Sequence, residues 1–262
     1  MTTSARELVI LGTATSVGVP IVGCRCNVCT STDPKNHRTR VGVYIPAPEG
    51  NFVIDTPPEL RIQLVREHVQ AVHAAIYTHS HADHIFGLDD LRIFGYRLDR
   101  DIPLYCEEIV ERQLRTSFGY AFETPVVNAH HFATPRLAFR RIAPAEPFEL
   151  LGVTVQPIRL MHGQLPVLGF RIRDFAYCTD VSFIPDESWP LLEGLDTLVI
   201  DALRDEPHAT HLSIGQALDV VRRVRPRRTF LTHLSHTLDY AATNARLPPD
   251  VRLAYDGLRI AY

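Results

Sequence analysis

The sequence predicts a layered α/β fold, and three observations on its 262 residues support that expectation. Short apolar segments of strand length alternate with amphipathic segments of helix length, which is typical of sheets covered by helices. Hydrophobic residues make up 45% of the chain, enough for a sizeable buried core. Polar side chains directly follow several apolar segments, so we expect the strand ends to carry the chemistry.

Ten apolar segments are predicted to be strands, because each is four to six residues long and ends at loop or polar residues. They are Leu8–Leu11, Val41–Ile45, Phe52–Asp55, Ala74–Thr78, Leu137–Ile142, Val153–Ile158, Leu168–Ile172, Phe175–Thr179, Leu198–Asp201 and Thr229–Thr232. Candidate metal ligands stand at the ends of four of these segments: Asp55, His79, Asp180 and His233.

Three segments are predicted to be helices: one that begins at Pro57–Pro58, then Glu107–Phe118 and Ser213–Val224. In the last of these, Ile214, Ala217 and Val221 recur on one face, together with Leu218. The Pro-rich Glu123–Pro147 segment is predicted to be an exposed flap.

The net charge of −3 predicts no general attraction to nucleic acid or to an anionic membrane. The chain begins without a signal-peptide pattern and has no window of about 18 apolar residues, so we expect a soluble cytoplasmic protein. Without an internal repeat or a linker, residues 1–262 are expected to form a single domain. The oligomeric state stays open, a homodimer included.

The segment His79–His84 holds three imidazoles and a carboxylate within six residues. Nitrogen and oxygen donors of this kind suit Zn²⁺, Mn²⁺ or Fe²⁺. On a loop after a strand, His79 and His81 can point to one metal while Asp83 and His84 turn toward a second. A histidine-rich surface loop is the alternative, but the position directly after a buried strand favours the metal site.

Cys24, Cys26 and Cys29 lie within six residues, and in a reducing compartment such a cluster is more often a metal site than a disulfide framework. His236, three residues after His233, would complete a closed tetrahedral zinc site of the structural kind. Reduced buried thiols or a local disulfide are the alternatives. The remaining cysteines lie in apolar stretches and are expected to be small core residues: Cys106 and Cys178.

The motif Thr78–His84 resembles the signature of the metallo-β-lactamase superfamily, and later residues follow in that family's order. They are His162 in Met161-His162-Gly163, Asp180 after Tyr177-Cys178-Thr179, and His233 in Leu231-Thr232-His233. The resemblance covers the chain from about Leu8 to Tyr240. It implies an αββα sandwich, in which two mixed β-sheets are flanked by helices and a di-metal site lies on one edge.

By that resemblance the active site holds two divalent metal ions, zinc or manganese, with a hydroxide between them. The implied ligands are His79, His81 and His162 for one metal, Asp83, His84 and His233 for the other, and Asp180 as the bridge. Asp83 and Asp180 are also expected to act in catalysis. Asp55 resembles the family's first-motif aspartate and is expected to orient a ligand histidine, with an aspartate in an ordinary turn as the alternative.

Two further features resemble a branch that includes the phosphoribosyl 1,2-cyclic phosphate phosphodiesterase. They are the three-cysteine loop that follows Leu11-Gly12-Thr13 and Gly18-Val19-Pro20, and the closing His233-Leu234-Ser235-His236. The resemblance implies hydrolysis of a small cyclic phosphate, of the phosphoribosyl or 2′,3′-cyclic nucleotide type. His211 aligns with a catalytic histidine there and would assist the leaving oxygen, with His208 as its competitor and a helix-capping neighbour as the alternative.

Two other functions stay open. Processing of tRNA 3′ ends shares these motifs, but the chain shows no long basic arm and has a net charge of −3. A binding protein of the pyrroloquinoline quinone type, without turnover, carries a similar Cys loop, whereas the full set of ligand candidates favours an enzyme. The expected partner is a small phosphorylated substrate, with Arg92 and Arg159 as candidates for contacting its phosphate.

Overall fold

The structure is a computed structural model that describes residues 6–122 and 134–262. In these ranges the strands are β1 (Glu7–Gly12), β2 (Gly42–Ala47), β3 (Gly50–Ile54), β4 (Ala74–Ile76), β5 (Ile102–Cys106), β6 (Leu137–Arg141), β7 (Phe148–Leu150), β8 (Val153–His162), β9 (Leu165–Ile172), β10 (Phe175–Cys178), β11 (Thr197–Asp201), β12 (Arg228–Thr232), β13 (Val251–Leu253) and β14 (Leu258–Ala261). The helices are α1 (Leu60–Arg66), α2 (Ala82–Ile85), α3 (Arg92–Arg97), α4 (Glu108–Ser117), α5 (Gly119–Phe122), α6 (Ile214–Val224) and α7 (Tyr240–Arg246). Short 3-10 helices span Pro34–Asn36, Leu88–Leu91 and Asp186–Leu192.

The strands form two seven-stranded sheets, in the orders β14-β1-β2-β3-β4-β5-β6 and β13-β12-β11-β10-β9-β8-β7. Both sheets are mixed. In the first, β3 to β6 run parallel, while β1 pairs antiparallel with both of its neighbours. In the second, β10 to β13 run parallel, while β7 to β10 pair antiparallel. The prediction of two mixed sheets is confirmed.

Apolar side chains fill three layers. The central layer lies between the sheets and includes Phe52 of β3 and Phe170 of β9. A second layer packs the first sheet against α1 and α4, with Leu64 among its buried residues. A third packs β11 against α6 through Ile200 and Ala217. This order of helices, sheet, sheet and helices is the predicted αββα sandwich.

Parallel strands bring the candidate site residues to one edge. Because neighbouring parallel strands end on the same side of a sheet, the residues that follow them meet there. Asp55 follows β3, and His79 comes three residues after the end of β4. In the second sheet, Asp180 follows β10, Asp201 ends β11 and His233 follows β12. Both sheets therefore contribute candidate site residues to this edge.

A capping box starts α6 two residues after His211. The Ser213 side chain accepts a hydrogen bond from the backbone N–H of Gln216, whose side-chain oxygen accepts one from the backbone N–H of Ser213. These reciprocal bonds satisfy donors at the start of the helix. Buried Ile214 and Ala217 confirm the predicted apolar face. The cap therefore fixes the position of His211, which lies at the end of the preceding loop.

Several elements differ from the sequence-based expectation. Of the predicted flap, residues 123–133 lie outside the described ranges, and its later part contains the edge strand β6. The sequence did not indicate β5, β7, β13 and β14: β5 contains Pro103, which argues against a strand interior, and the other three have only three or four residues each. In the described part of the chain, every helix is too short or too polar to cross a bilayer.

Candidate metal centre and active site

The loop after β4 carries the predicted metal-binding motif to the sheet edge. His79 is 2% exposed, whereas His81 precedes α2 as its N-cap and is exposed. The single turn of α2 carries Asp83 and His84, which are both buried. The rings of His79 and His84 lie 4.0 Å apart between centroids. The motif therefore supplies three buried donor side chains and one at the rim.

Asp180 lies at the centre of the cluster. Its Oδ1 is 3.4 Å from Nε2 of His233 and 4.0 Å from Nε2 of His79. Its Oδ2 is 3.2 Å from Nε2 of His84. Asp83 Oδ2 lies 3.4 Å from Nε2 of His84 and 3.8 Å from Nε2 of His233. Asp180 therefore lies between His79 and the pair His84 and His233, which the resemblance assigns to different metals.

Four buried imidazole nitrogens in the cluster have no hydrogen-bond partner among the described residues. They are Nε2 of His79, Nε2 of His84, and both Nδ1 and Nε2 of His233. A buried polar atom without a partner costs roughly 1–3 kcal/mol, so such a cluster needs compensation. Imidazole nitrogen and carboxylate oxygen are ligands of zinc and manganese. The residues present therefore fit bound divalent metal ions.

His162 joins His79 and His81 on the other side of the cluster. Its ring centroid lies 5.8 Å from that of His79 and 5.2 Å from that of His81. Its Nδ1 is 2.7 Å from the carbonyl oxygen of Thr210, which can only accept, so Nδ1 carries the proton. Nε2 is left available as a ligand. The structure thus brings together the three histidines predicted to share one metal.

The pKa values of the cluster's imidazoles shift in both directions: burial lowers those of His79 and His162, whereas the carboxylates raise those of His84 and His233. Burial alone would raise the pKa of Asp180, but the positive charges of His233 and His84 outweigh it and hold this pKa well below its usual range. Burial alone would lower the pKa of His84, but Asp180 and Asp83 raise it well above its usual range. The carboxylates are therefore ionised, and their negative charge would attract divalent cations.

Three of the site residues have an unusual backbone conformation, which directs their side chains. Asp55, Asp180 and His233 have φ values of 62°, 53° and 58°, in the left-handed region that non-glycine residues seldom adopt. Each follows the end of a strand, where such a residue turns the chain sharply. Conformations of this kind cluster at functional sites, where surrounding contacts hold them. The strand edge is therefore shaped for this cluster at a cost to local backbone stability.

Asp55 fixes the orientation of His84. Its Oδ2 lies 2.7 Å from Nδ1 of His84 and accepts a 2.8 Å hydrogen bond from the hydroxyl of Thr78, while its Oδ1 accepts one of 2.8 Å from the backbone N–H of Thr78. Because an ionised carboxylate only accepts, Nδ1 of His84 carries the proton and Nε2 is free to bind a metal. This geometry supports the orienting role predicted for Asp55.

Asp55→Asn is expected to lower metal affinity or activity by about 10–100-fold, because the amide no longer favours the proton on Nδ1 of His84. Metal titration of the purified variant measures the change. Asp99→Asn is the matched control, since that carboxylate is 96% exposed. An unchanged metal affinity in Asp55→Asn would show that His84 is oriented by other contacts.

His211 lies against the cluster and is held by Asp201. Its Nδ1 is 2.7 Å from Oδ2 of Asp201, which also accepts a 3.0 Å hydrogen bond from the backbone N–H of Val181. The ring centroid of His211 lies 4.5 Å from those of His162 and His233. Burial lowers the pKa of His211 to about 4, so the ring is neutral near pH 7. A neutral ring with Nδ1–H on Asp201 leaves Nε2 able to accept and return a proton.

Sequence reasoning missed Asp201. Its one signal was its position at the end of an apolar strand, which it shares with many structural aspartates. His208, the competitor of His211, is exposed, and its Nδ1 accepts a 3.3 Å hydrogen bond from the backbone N–H of Thr210. In contrast to His211, the hydrogen bonds described for His208 involve no carboxylate.

The two arginines proposed from the sequence as phosphate contacts are engaged with carboxylates. Nη2 of Arg92 lies 2.6 and 2.8 Å from the two oxygens of Asp89. Arg159 pairs with Glu107, with its Nη1 at 2.9 Å from Oε2.

The cysteine loop and His236 form a second donor cluster. Nδ1 of His236 lies 3.4 Å from Sγ of both Cys24 and Cys26, and 3.8 Å from Sγ of Cys29. A tetrahedral zinc ion with ordinary bond lengths separates sulfur and nitrogen ligands by about 3.5 Å. All three thiols are free. The four donors therefore fit a structural zinc ion, as predicted.

The thiols of this cluster differ in acidity, because burial raises the pKa of Cys29 to about 11 whereas that of Cys26 is lowered. A hydrogen bond from the backbone N–H of Cys29, together with the side chain of His236, lowers the pKa of Cys26 to about 6. The thiolate is the form that binds metals. Cys106 and Cys178 are instead fully buried, and burial raises the pKa of each to about 12. They are core residues, as the sequence predicted.

Arg38 holds the turn of backbone that connects the two clusters. It is 2% exposed, and its Nη1 and Nη2 donate to the carbonyl oxygens of Ser235 and Leu238 at 2.9 and 2.6 Å. The turn that it holds follows His233 and carries His236. One turn of backbone thus presents a donor to each of the two clusters.

Cys26→Ser is expected to remove one zinc ion per chain and to lower the thermal midpoint by roughly 5–10 °C, because the zinc site contributes folding free energy. Metal analysis and thermal unfolding measure these two effects. Cys178→Ala is the matched control, since it removes a buried thiol outside the cluster and is expected to keep all bound zinc. Equal zinc content in Cys26→Ser and the unchanged protein would contradict the site.

Comparisons with known proteins agree with this geometry. The family described as "Beta-lactamase superfamily domain" matches residues 50–234. A protein named octanoyltransferase, from Porphyromonas gingivalis, is 36% identical over 253 residues, which are 95% of this chain and 50% of that protein. This chain thus spans about half the length of that relative.

Two solved structures show the same architecture. A crystal structure described as a new diphosphatase from the PhnP family superposes with a TM-score of 0.91 at 37% identity, covering 99% of this chain and 98% of that one. Zn²⁺-bound PqqB from Methylobacterium extorquens superposes with a TM-score of 0.80 at 19% identity, covering 98% of this chain and all of that one. At this identity the second similarity shows the fold alone.

Proposed function

The chain belongs to the metallo-β-lactamase superfamily of metal-dependent hydrolases, and from this premise we propose that it hydrolyses a small cyclic phosphate diester. Substrates of the phosphoribosyl 1,2-cyclic phosphate or 2′,3′-cyclic nucleotide type match the proposal. The observation that carries it is the Asp201–His211 pair beside the metal cluster. Alkoxides are poor leaving groups, so cleavage of a phosphodiester gains from a positioned proton donor.

Each group at the sheet edge has a role in this proposal. Divalent metal ions, when bound, would lower the pKa of water and stabilise negative charge that develops on the phosphoryl oxygens. Asp180 and Asp83 supply the anionic ligands, and Asp55 holds the ring of His84 in place. His211, fixed through Nδ1 by Asp201, uses Nε2 to accept the proton that the attacking water loses and then passes it to the leaving oxygen.

A second candidate reaction is cleavage of a diphosphate. The structure that superposes at 37% identity is described as a diphosphatase, and it covers almost the whole of this chain. The same cluster would serve both reactions, because each is an attack on phosphorus. The two differ in the leaving group, which is a phosphate oxygen in a diphosphate and an alkoxide in a cyclic ester.

Other functions have less support. The transferase activity in the name of the P. gingivalis relative is not carried to this chain, which spans half of that protein. A net charge of −3 does not favour tRNA as a substrate. A binding role without turnover is not favoured either, because every candidate ligand in the motif lies at the site.

The proposal is tested with purified protein loaded with Mn²⁺ or Zn²⁺, its metal content verified. Substrates are bis(p-nitrophenyl) phosphate, ribose 1,2-cyclic phosphate and a diester of diphosphate such as ADP-ribose. We expect turnover of the cyclic phosphate to a monoester. Turnover of the diphosphate alone would replace the proposal with the second candidate, and no turnover of any substrate would refute both.

A further inference from the structure

We infer that a cavity beside the metal cluster binds a second anionic group of the substrate, a phosphate monoester, and that Arg204 recognises it. The inference rests on the proposed function, because it concerns the part of the same substrate that lies away from the attacked phosphorus. The cavity has a volume of about 280 Å³, and His211 and His233 line part of it. It therefore adjoins the candidate active site directly.

Three parts of the chain build the cavity wall: the loop after β1, the loop between β11 and α6, and the turn after β12. Apart from histidines of the two clusters, its polar side chains are Thr15, Ser16, Arg204, His208, Ser235 and Thr237. All of these are capable of donating hydrogen bonds. The volume is near the lower end for small-molecule pockets, about 300 Å³, which suits a sugar phosphate rather than a polymer.

The charge of its wall distinguishes this cavity from the other cavities that contain an arginine. None of the described residues that line it is Asp or Glu. The cavity that contains Arg92 also contains Asp89, and the one that contains Arg223 also contains Asp219. A guanidinium among hydroxyl donors, without a carboxylate in the wall, is suited to bind a phosphate.

The present contacts of Arg204 are weak. Its Nε and Nη2 donate to the carbonyl oxygens of Glu206 and Pro207 at 3.4 and 3.3 Å. The carboxylate of Glu206, on an exposed side chain, lies 3.9 Å from Nε. Arg92, by comparison, reaches Asp89 at 2.6 Å. Binding of a phosphate would replace long contacts with short, charge-assisted hydrogen bonds.

His208 would add a neutral donor. Its Nδ1 accepts hydrogen bonds from the backbone N–H of Thr210 at 3.3 Å and from the Thr210 hydroxyl at 3.2 Å. With Nδ1 accepting, the ring proton lies on Nε2, which can donate to a ligand oxygen. Arg204 thus supplies the charge of the site, and His208 and the hydroxyls supply further hydrogen bonds.

The test compares two substrates that differ by one phosphate: ribose 1,2-cyclic phosphate with and without a 5-phosphate. Arg204→Gln is expected to raise KM for the 5-phosphorylated substrate about tenfold or more and to change kcat/KM for the other less than about twofold. Arg204→Lys should recover part of the loss. Arg222→Gln, at an exposed arginine of α6, is the control and should match the unchanged protein. Equal losses on both substrates would overturn the inference.

A binding measurement separates this inference from the proposed function. Calorimetry with ribose 5-phosphate, which has no diester, is carried out on the metal-loaded protein and on Arg204→Gln. We expect about tenfold weaker binding to the variant. If that difference appears but no diester is hydrolysed, the proposed function fails and the anion site stands. Equal affinity in both proteins would overturn the anion site, even where diesters are hydrolysed.

Discussion

Asp180→Asn is expected to lower kcat/KM about a thousandfold, equivalent to roughly 4 kcal/mol of transition-state stabilisation. The carboxylate of Asp180 faces His79, His84 and His233 within 4.0 Å. An amide keeps the shape but removes the negative charge that would hold the proposed cations close together. At least one metal ion per chain should be lost as well.

Metal analysis and steady-state kinetics on the same preparation measure both effects. Asp219→Asn, at an exposed residue of α6, is the matched control and should keep full metal content and activity. Circular dichroism shows whether Asp180→Asn remains folded. A folded variant with its metals and activity intact would refute the bridging role of Asp180.

His211→Ala is expected to lower kcat by about 10²–10⁴-fold on a cyclic phosphate, because the alkoxide then leaves without a proton donor. The loss should be much smaller on bis(p-nitrophenyl) phosphate, whose leaving group needs little protonation. Metal content should not change, because the implied metal ligands exclude His211. This difference between substrates distinguishes a proton donor from a structural residue.

Asp201→Asn should follow the same pattern with a smaller loss, since it disturbs the orientation of the His211 ring but leaves the ring in place. Its backbone contact with Val181 can persist through the amide oxygen. If His211→Ala loses the same factor on both diesters, the role of proton donor is wrong and His211 acts in substrate or metal positioning.

Much of this site was readable from the sequence because its donors are contiguous or follow strands. His79 to His84 form a compact motif, and three cysteines within six residues form another. Distant partners were harder. His162 has few local signals, and the family resemblance assigned it to the cluster, whereas Asp180 also stood out by its position after an apolar segment. In the structure they converge because strands of the two sheets end at one edge.

The remaining features of the site and the fold depend on contacts between residues that are distant in the sequence. Asp201 reads as an ordinary strand end, and its role appears only when Oδ2 is seen 2.7 Å from Nδ1 of His211. The short strands β13 and β14 carry too few residues for an alternating pattern, and they exist because they pair with β12 and β1. The predicted strand Val153–Ile158 is also too short, because β8 continues to His162 in a long hairpin with β9.

The wide separation of the zinc donors affects how the protein is made. Cys29 precedes His236 by 207 residues. At a translation rate of roughly 5–20 residues per second, the cysteine loop waits about 10–40 s for its fourth ligand to be synthesised. During that time β1 also lacks β14, its later partner in the first sheet. A nascent chain therefore exposes three unliganded thiols and an unpaired strand edge until most of the protein has been translated.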